Sequence, residues 1–201
     1  MVVSIIRNLI LVIAYLSLVG CNTFKQESPY WYVGVAAPQH YDMWVLNLHL
    51  EKSGERSWRV PVGSLGCCWQ GPYGPSGGGG AMEPFPNLMA LHWFSFSEQK
   101  YYAILIRVPP DLKERMLEPA KRLNQNGTVS FKPRSTLVLG LAPGGEVVVW
   151  MMNQITNAVE VMRLSGVEVE GDVNAFKERT AEYLEEHGAY LKEHGIPSEG
   201  W

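Results

Sequence analysis

Charge is scarce in this sequence, since only 18% of its 201 residues are Asp, Glu, Lys or Arg. The 20 acidic residues outnumber the 17 basic ones, and the formal net charge is −3. Nucleic-acid binding needs a basic surface that neutralises phosphates, so we expect no nucleic-acid partner. Hydrophobic residues make up 46% of the chain, which excludes a disordered protein, and the length suits one domain.

Apolar runs long enough to span a membrane are missing after residue 20. The first twenty residues, by contrast, are almost entirely apolar and carry a single charge, at Arg7. A basic start followed by an apolar run of about a dozen residues is typical of a secretory signal peptide. A membrane-spanning helix needs about 20 apolar residues, which this run does not reach. We therefore expect residues 1–20 to be a signal peptide.

Cysteine occurs three times, and the first, Cys21, directly follows the apolar run. The segment Leu18-Val19-Gly20-Cys21 resembles the lipobox of bacterial lipoproteins, in which the thiol is diacylated and the preceding peptide is removed. This resemblance implies a lipidated tether over residues 21–29 and one periplasmic domain over residues 30–201, attached to the membrane through Cys21. The resemblance to bacterial lipoproteins also implies export to the outer membrane, because Asn22 and not Asp follows the cysteine. The alternative is an uncleaved N-terminal anchor with a chance cysteine.

The other two cysteines, Cys67 and Cys68, are adjacent and cannot form a C-x-x-C redox motif. In an oxidising compartment, thiols are usually paired or buried. We favour one buried and one half-exposed thiol. A strained disulfide between the neighbours and a metal site are the alternatives.

The remaining pattern predicts a mainly β (α+β) fold, a single antiparallel meander or sandwich-like sheet domain with one short helix and a C-terminal helix. Apolar runs of strand length recur between turn residues. They cover residues 30–37, 43–51, 57–62, 88–96, 100–108, 136–141, 146–152, 158–164 and 167–170. In the run 43–51, the alternation of Trp44, Leu46, Leu48 and Leu50 predicts one buried face.

Two stretches are predicted to be helical. The first begins at Pro109-Pro110-Asp111 and runs to about Leu123. The second covers residues 172–194 and ends at Gly195. Its larger side chains recur at intervals of four and three residues and therefore share one face. These side chains are Phe176, Thr180, Tyr183, His187, Tyr190 and His194.

A glycine- and proline-rich tract, residues 63–87, shows no periodicity, and we expect a functional or mobile loop there. It contains a G-x-S-x-G sequence around Ser76, a pattern that carries the nucleophile of many hydrolases. The pattern requires a strand before the serine and a helix after it. Pro75 precedes this serine and four glycines follow it, so we assign no catalytic residue.

Metal and acid–base motifs are also lacking. The five histidines form no H-E-x-x-H motif. His187 and His194 lie seven residues apart on the predicted helix, which separates them by about 10 Å. Joint zinc ligation would require both nitrogens within about 2.1 Å of the metal. We therefore expect no metal, no cofactor and no enzymatic activity.

Aromatic residues in the glycine-rich tract and on the second helix are the candidate binding groups. Trp69 and Tyr73 lie in the tract, and exposed aromatics on loops are typical of protein-binding hot spots. The alternative is a loop that folds back so that these rings cover a sheet face. On the helix, the predicted partner-facing residues are Tyr183, His187, Tyr190 and His194.

Three segments carry a family resemblance, namely residues 31–38, 91–102 and 139–150, the last reading LGLAPGGEVVVW. Together with the lipobox and the glycine-rich tract, they resemble an uncharacterised family of small Gram-negative lipoproteins, a domain of unknown function, over about residues 30–170. The C-terminal helix looks like an extension of this family. Some lipoproteins of this kind resemble immunity partners of type VI secretion effectors, notably lipases.

The resemblance implies a periplasm-facing binding lipoprotein without catalytic activity. Its expected partner is a secreted effector protein, and its expected role is that of an immunity protein. The alternative is a structural or assembly lipoprotein of the cell envelope.

Overall fold

The computed structural model describes residues 29–67, 69 and 76–201. Cys21, Cys68 and Tyr73 lie outside the described residues. The α-helices of the described part are α1 (Leu112–Leu117) and α2 (Lys177–His194). Its strands are β1 (Tyr30–Ala36), β2 (Met43–Lys52), β3 (Arg56–Val60), β4 (Gly63–Leu65), β5 (Ser76–Ala81), β6 (Leu88–Ser95), β7 (Lys100–Arg107), β8 (Pro119–Leu123), β9 (Val129–Pro133), β10 (Thr136–Leu141), β11 (Glu146–Met152), β12 (Val159–Ser165) and β13 (Val167–Val169).

The first large sheet has the strand order β12-β11-β10-β1-β5. Gly144 and Gly145, with φ of 78° and 77°, turn the chain between β10 and β11, where the sequence predicted a hairpin. β1 inserts between β10 and β5 and pairs with β10 in parallel, with Val33 opposite Leu137. This parallel pair departs from the expected antiparallel meander.

The second large sheet has the order β13-β7-β6-β2-β3, and β4 also pairs with β2. All of its strand pairs are antiparallel. A separate two-stranded hairpin is formed by β8 and β9.

The two large sheets pack face to face, because alternate side chains of each sheet enter one buried cluster. The first sheet contributes Trp31, Val33, Val35, Leu137, Leu139, Leu141, Val147, Val149 and Met151, and the second contributes Met43, Val45, Leu48, Leu50, Met89, Leu91, Trp93, Tyr102 and Ile106. This arrangement confirms the mainly β fold with one short helix and one C-terminal helix. Two smaller buried clusters lie on the outer faces of the sheets and also consist of residues between 36 and 191. The part of the chain from Tyr30 onward therefore contains its own hydrophobic core.

The outer face of the second sheet is covered by the C-terminal helix. Phe94, Phe96 and Tyr101 of the sheet side form a buried cluster with Tyr183 of α2, and Phe176 packs against the same cluster. Phe176 and Tyr183 of the helical stripe predicted from the sequence therefore face the second sheet. No helix among the described residues is both long and apolar enough to cross a membrane.

In β2, the set of alternate side chains that points into the core between the sheets changes partway along the strand. The register of β2 against β6 shifts between Val45 and Asn47. As a result Leu48 lies in the core between the sheets, whereas Trp44 and Leu46 pack on the side of α2. The single buried face that the sequence predicted for this strand is wrong, because a bulge reverses the alternation.

Two other expectations are corrected. α1 ends at Leu117 instead of Leu123, since a proline at 119 forces the preceding residue out of the helical region, and Glu118 has ψ of 132°. The chain continues as strand β8. The glycine-rich tract is also not one loop, because it supplies β4 and β5.

Candidate partner-binding site

A cavity of about 620 Å³ lies where the loop after β1, the loop after β4 and α2 meet. Pro38 stops β1 and starts the first of these loops. The principal lining residues are His40, Asp42, Gly66, Trp69, Glu186 and His187.

The backbone at His40 is held in an unusual conformation by α2. Its φ is 72°, in the left-handed region that non-glycine residues seldom occupy. The hydroxyl of Tyr183 donates a hydrogen bond to the His40 carbonyl at 2.7 Å, and the ring of Tyr190 stacks on the His40 ring at 4.0 Å. The helix therefore fixes both the main chain and the side chain of this residue.

The imidazoles of His40 and His187 meet at the wall of the cavity. Their Nδ1 atoms are 3.4 Å apart, within hydrogen-bonding distance. The Nε2 atom of His187 points to carboxylates, 3.7 Å from Asp42 Oδ1 and 3.8 Å from Glu186 Oε1. His187 thus links the loop residue His40 to the acidic side of the pocket.

Asp42 is largely buried beside His187. Its Oδ1 atom has no hydrogen-bond partner among the described residues. Burial raises the pKa of the Asp42 carboxyl, and this effect exceeds the lowering caused by His187. At Gly66, a Cβ atom would lie 3.0 Å from Asp42 Oδ2, so the glycine leaves room for the carboxylate. The site therefore holds a carboxylate without a full set of internal partners.

Trp69 forms the opposite side of the cavity. Its amide donates to the Ala37 carbonyl at 3.0 Å, which ties the loop to the end of β1. The indole packs edge-on against Trp150 at 5.0 Å, and both rings lie over Gly140, where a Cβ would come within 2.5 Å of each. Trp69 is half-buried. It covers the outer face of the first sheet, as one of the two interpretations of the loop expected, and still lines the cavity.

Some of the predicted binding residues lie together at this cavity, whereas one of them is buried. Trp69 and His187 line the same cavity, and Tyr190 supports it through His40. Tyr183 is 6% exposed and packs in the cluster beneath α2, so its prediction as a partner-facing residue is wrong. His194 is exposed, with its ring stacked on Tyr190 at 4.1 Å.

The prediction for the cysteines also changes, because Cys67 is disulfide-bonded. The favoured interpretation of two free thiols is therefore wrong for Cys67. Its neighbour Cys68 lies outside the described residues.

Sequence reasoning missed His40, Asp42 and Glu186 as site residues. His40 and Asp42 sit in a short turn after β1, and no motif marks them. Only the packing of α2 across the second sheet brings them to His187, which is 147 residues from His40. The sequence feature that could have indicated this site is the stripe on the helix. Its mixture of Tyr and His is unusual for a helix face that only packs against an apolar sheet.

A second, smaller opening of about 260 Å³ lies between the edge strands β3 and β5. Trp31, Val33 and Leu50 form its floor, and Arg56 and Arg59 belong to its lining. Gly77 and Gly79 of β5 are required by close packing, because a Cβ at Gly79 would lie 2.9 Å from the Trp31 carbonyl oxygen. A Cβ at Gly77 would lie 2.2 Å from the Val33 carbonyl oxygen.

Within the described part of the chain, no group of three or more His, Cys, Asp or Glu side chains is placed to hold a metal ion. The pocket offers instead two carboxylates, two imidazoles and one indole face. Carboxylates and an indole can receive a cationic side chain through ion pairing and cation–π contact.

The fold and the pocket define a two-sheet β protein whose C-terminal helix closes one sheet and completes a side pocket. The chain belongs to the family described as Protein of unknown function (DUF2931), which matches residues 21–199. The match includes α2, so the expectation that this helix is an extension of the family is wrong. Comparisons with curated proteins and with solved structures give no match.

Proposed function

We propose that this protein is a lipid-anchored binding protein of the bacterial envelope, facing the periplasm, that captures a protein partner without catalysing a reaction. The observation that carries the proposal is the convergence of Trp69 and His187 on one open cavity. These residues come from the two segments that the sequence singled out independently. Tryptophan is among the residues enriched in protein-binding hot spots.

The charge of the pocket indicates the partner group that fits it. Asp42 and Glu186 are both carboxylates, and Asp42 has an oxygen without a hydrogen-bond partner among the described residues. A Lys or Arg side chain of the partner would supply the missing donor and lie against Trp69. Basic partners would also be attracted by the net charge of −3.

The anchor follows from the lipobox-like segment that ends in Cys21. Several acyl chains give stable attachment, whereas one chain would be marginal. Lipidation would hold the pocket at the membrane through which a secreted effector must act. We therefore propose, as the particular role, that the protein is an immunity protein which neutralises a type VI secretion lipase by occupying a surface of the effector.

The experiment compares survival of cells that express the full-length protein or a variant while sibling cells deliver the effector encoded beside the gene. Glu186→Gln removes a carboxylate of the cavity with little risk to folding, because the side chain is 77% exposed. Glu193→Gln, on the exposed side of the same helix, is the matched control. We expect at least tenfold weaker effector binding and lower survival for Glu186→Gln and for Trp69→Ala, and no change for Glu193→Gln.

Unchanged effector binding in both pocket variants, with circular dichroism showing a folded protein, would contradict the pocket assignment. A deletion strain that survives attack but shows a leaky envelope without any sibling cells would contradict the immunity role. That second outcome would favour the structural or assembly lipoprotein.

A further inference from the structure

The β8–β9 hairpin exposes an unusual number of apolar side chains. On one face, Leu123 pairs with Val129 across the strands, and Phe131 follows two residues further along β9. Leu123 is 61% exposed and Phe131 is 67% exposed. The adjacent 3₁₀ turn, which is hydrogen-bonded to β8 through Gln154, adds the exposed Ile155. Single exposed apolar residues are normal, whereas a contiguous group indicates an interaction surface.

The same hairpin is basic in an otherwise acidic chain. Residues 119–145 contain Lys121, Arg122, Lys132 and Arg134 and no Asp or Glu. The first three side chains belong to exposed residues, and none of them takes part in an ion pair among the described residues. A surface that combines exposed Leu and Phe with unpaired Lys and Arg is the combination that binds to the interface of an anionic bilayer.

The position of the hairpin in the fold connects it to the tether. Pro29 and Tyr30, where the described chain begins, line one surface depression together with Arg122 and Lys132. Pro29 lies eight positions after Cys21 in the chain. A fully extended segment of that length spans at most about 29 Å. A lipid on Cys21 would therefore hold this end of the body close to the bilayer.

We propose that the β8–β9 hairpin is a second membrane contact, which inserts Leu123, Val129 and Phe131 at the headgroup boundary of an anionic phospholipid bilayer. Lys121, which is paired with Phe131 on the same face, and Arg122 and Lys132, which lie on the opposite face of the hairpin, reach phosphate groups around the inserted side chains. The proximity argument rests on the proposed lipid anchor, whereas the chemistry of the hairpin does not depend on it.

The contact gives the body a defined orientation. β1 starts beside the hairpin at Tyr30 and runs for seven residues to Ala36, a rise of about 20 Å. The loop with His40 follows at the far end of that strand. The pocket between Trp69 and His187 therefore points away from the membrane, toward a partner that approaches through the periplasm.

The first test uses residues 22–201, which contain the whole described core, and vesicles of phosphatidylethanolamine with one quarter phosphatidylglycerol. We expect co-sedimentation that falls at least fivefold on vesicles of phosphatidylcholine alone. The double variants Leu123→Ser with Phe131→Ser, and Arg122→Gln with Lys132→Gln, should each lose at least fivefold in binding. The matched control is Leu105→Ser with Lys192→Gln, which alters exposed residues of β7 and α2 and should bind normally.

The second test uses the lipidated protein in the same anionic vesicles and measures the rate of lysine acetylation by mass spectrometry. Lys121 and Lys132 should react at least fivefold more slowly than in the unlipidated body in buffer, and Lys192 should react at the same rate. Normal vesicle binding by the hairpin variants, or full reactivity of Lys121 and Lys132 on the membrane, would overturn the proposal. Loss of effector capture with intact vesicle binding would identify a protein interface instead and also overturn it.

The two tests separate this inference from the proposed function. A protein that is not acylated at Cys21 would fail to reconstitute as a lipoprotein, yet the unlipidated body would still bind anionic vesicles if the hairpin is a membrane contact. Conversely, full reactivity of Lys121 and Lys132 in the lipidated protein would contradict the hairpin contact but would not contradict the proposed lipid anchor.

Discussion

His40 and His187 lie with their Nδ1 atoms 3.4 Å apart, although the first belongs to a turn after β1 and the second to the C-terminal helix. The contact is one of three that residues of α2 make with His40. The hydroxyl of Tyr183 binds the His40 carbonyl, and Tyr190 stacks on the His40 ring. The C-terminal helix is thus part of the pocket wall as well as a cover for the second sheet.

Replacement of Tyr183 with Phe removes the hydrogen bond to the partly buried His40 carbonyl. We expect the free energy of unfolding to fall by about 1 kcal/mol, the usual net contribution of one hydrogen bond. Urea unfolding followed by circular dichroism measures the change. Tyr30→Phe is the control, because Tyr30 is 75% exposed, and an equal loss in both variants would contradict the role of Tyr183.

The Asp42→Asn variant should be more stable than the wild type at neutral pH. Burial raises the pKa of the Asp42 carboxyl, so ionisation of this group in the folded state lowers stability. The unfolded carboxyl titrates near pH 3.9, and the wild type loses stability as pH rises from there through the raised folded pKa. The gain of the Asn variant should therefore disappear as the pH falls below about 4.

Stability measured by urea unfolding between pH 3 and pH 8 tests this expectation. A gain that is the same at pH 3 and at pH 7 would show that ionisation of Asp42 is not its cause. If the Asn variant also binds the proposed effector more weakly, the Asp42 carboxylate contributes to binding at a cost in stability.

Gly77→Ala should weaken the pairing of β5 with β1, because the new Cβ would lie 2.2 Å from the Val33 carbonyl oxygen. Overpacking of this kind costs about 1–3 kcal/mol. Gly80→Ala in the same strand is the matched control, since nothing lies within 4 Å of its Cβ. It should be neutral or gain about 0.4–1 kcal/mol through the unfolded state. The melting temperatures of both variants, measured by thermal unfolding, test this prediction. Similar melting temperatures would contradict the close contact between residue 77 and the Val33 carbonyl.

Gly140→Ala should displace the indole of Trp69 and open the pocket. The Cβ would come within 2.5 Å of ring atoms of both Trp69 and Trp150. We expect a loss of about 1–3 kcal/mol and a red shift of tryptophan emission as a ring becomes more hydrated. Gly188→Ala, in open space on α2, should stabilise the helix by about 0.5–1 kcal/mol without changing the emission. An unchanged spectrum for Gly140→Ala would contradict the stacking of these rings.

Much of the fold could be predicted from the sequence because local patterns record which face of a strand is buried. The runs around Leu91 and Val149 and the glycine turn at Gly144 were assigned correctly on this basis. The alternation of apolar residues in β2 gave a wrong prediction of its buried face. A bulge after Val45 moves the following side chains to the other face of the sheet, and no residue type marks a bulge of this kind. The strand β5 was missed because glycines have no side chains to show periodicity.

The candidate site could be predicted only in part. Trp69 and His187 were recognised as aromatic and imidazole groups in the glycine-rich tract and on a helix stripe. Their meeting at one cavity, and the participation of His40 and Asp42, depend on contacts between segments that are distant in the chain. Tyr183 was assigned to a partner because a helix stripe by itself does not state whether it faces the body or the solvent.

The sequence by itself therefore determined the class of elements, the membership of a mainly β fold and the expectation of a lipid anchor at Cys21, since these depend on residue type and on spacing within one segment. Only the tertiary structure decided which strands are neighbours, which side of α2 is buried and which side chains share the pocket. The physical reason is that such pairings come from packing of two sheets and a helix around one core, and the free energy of that packing is distributed over residues far apart in the chain.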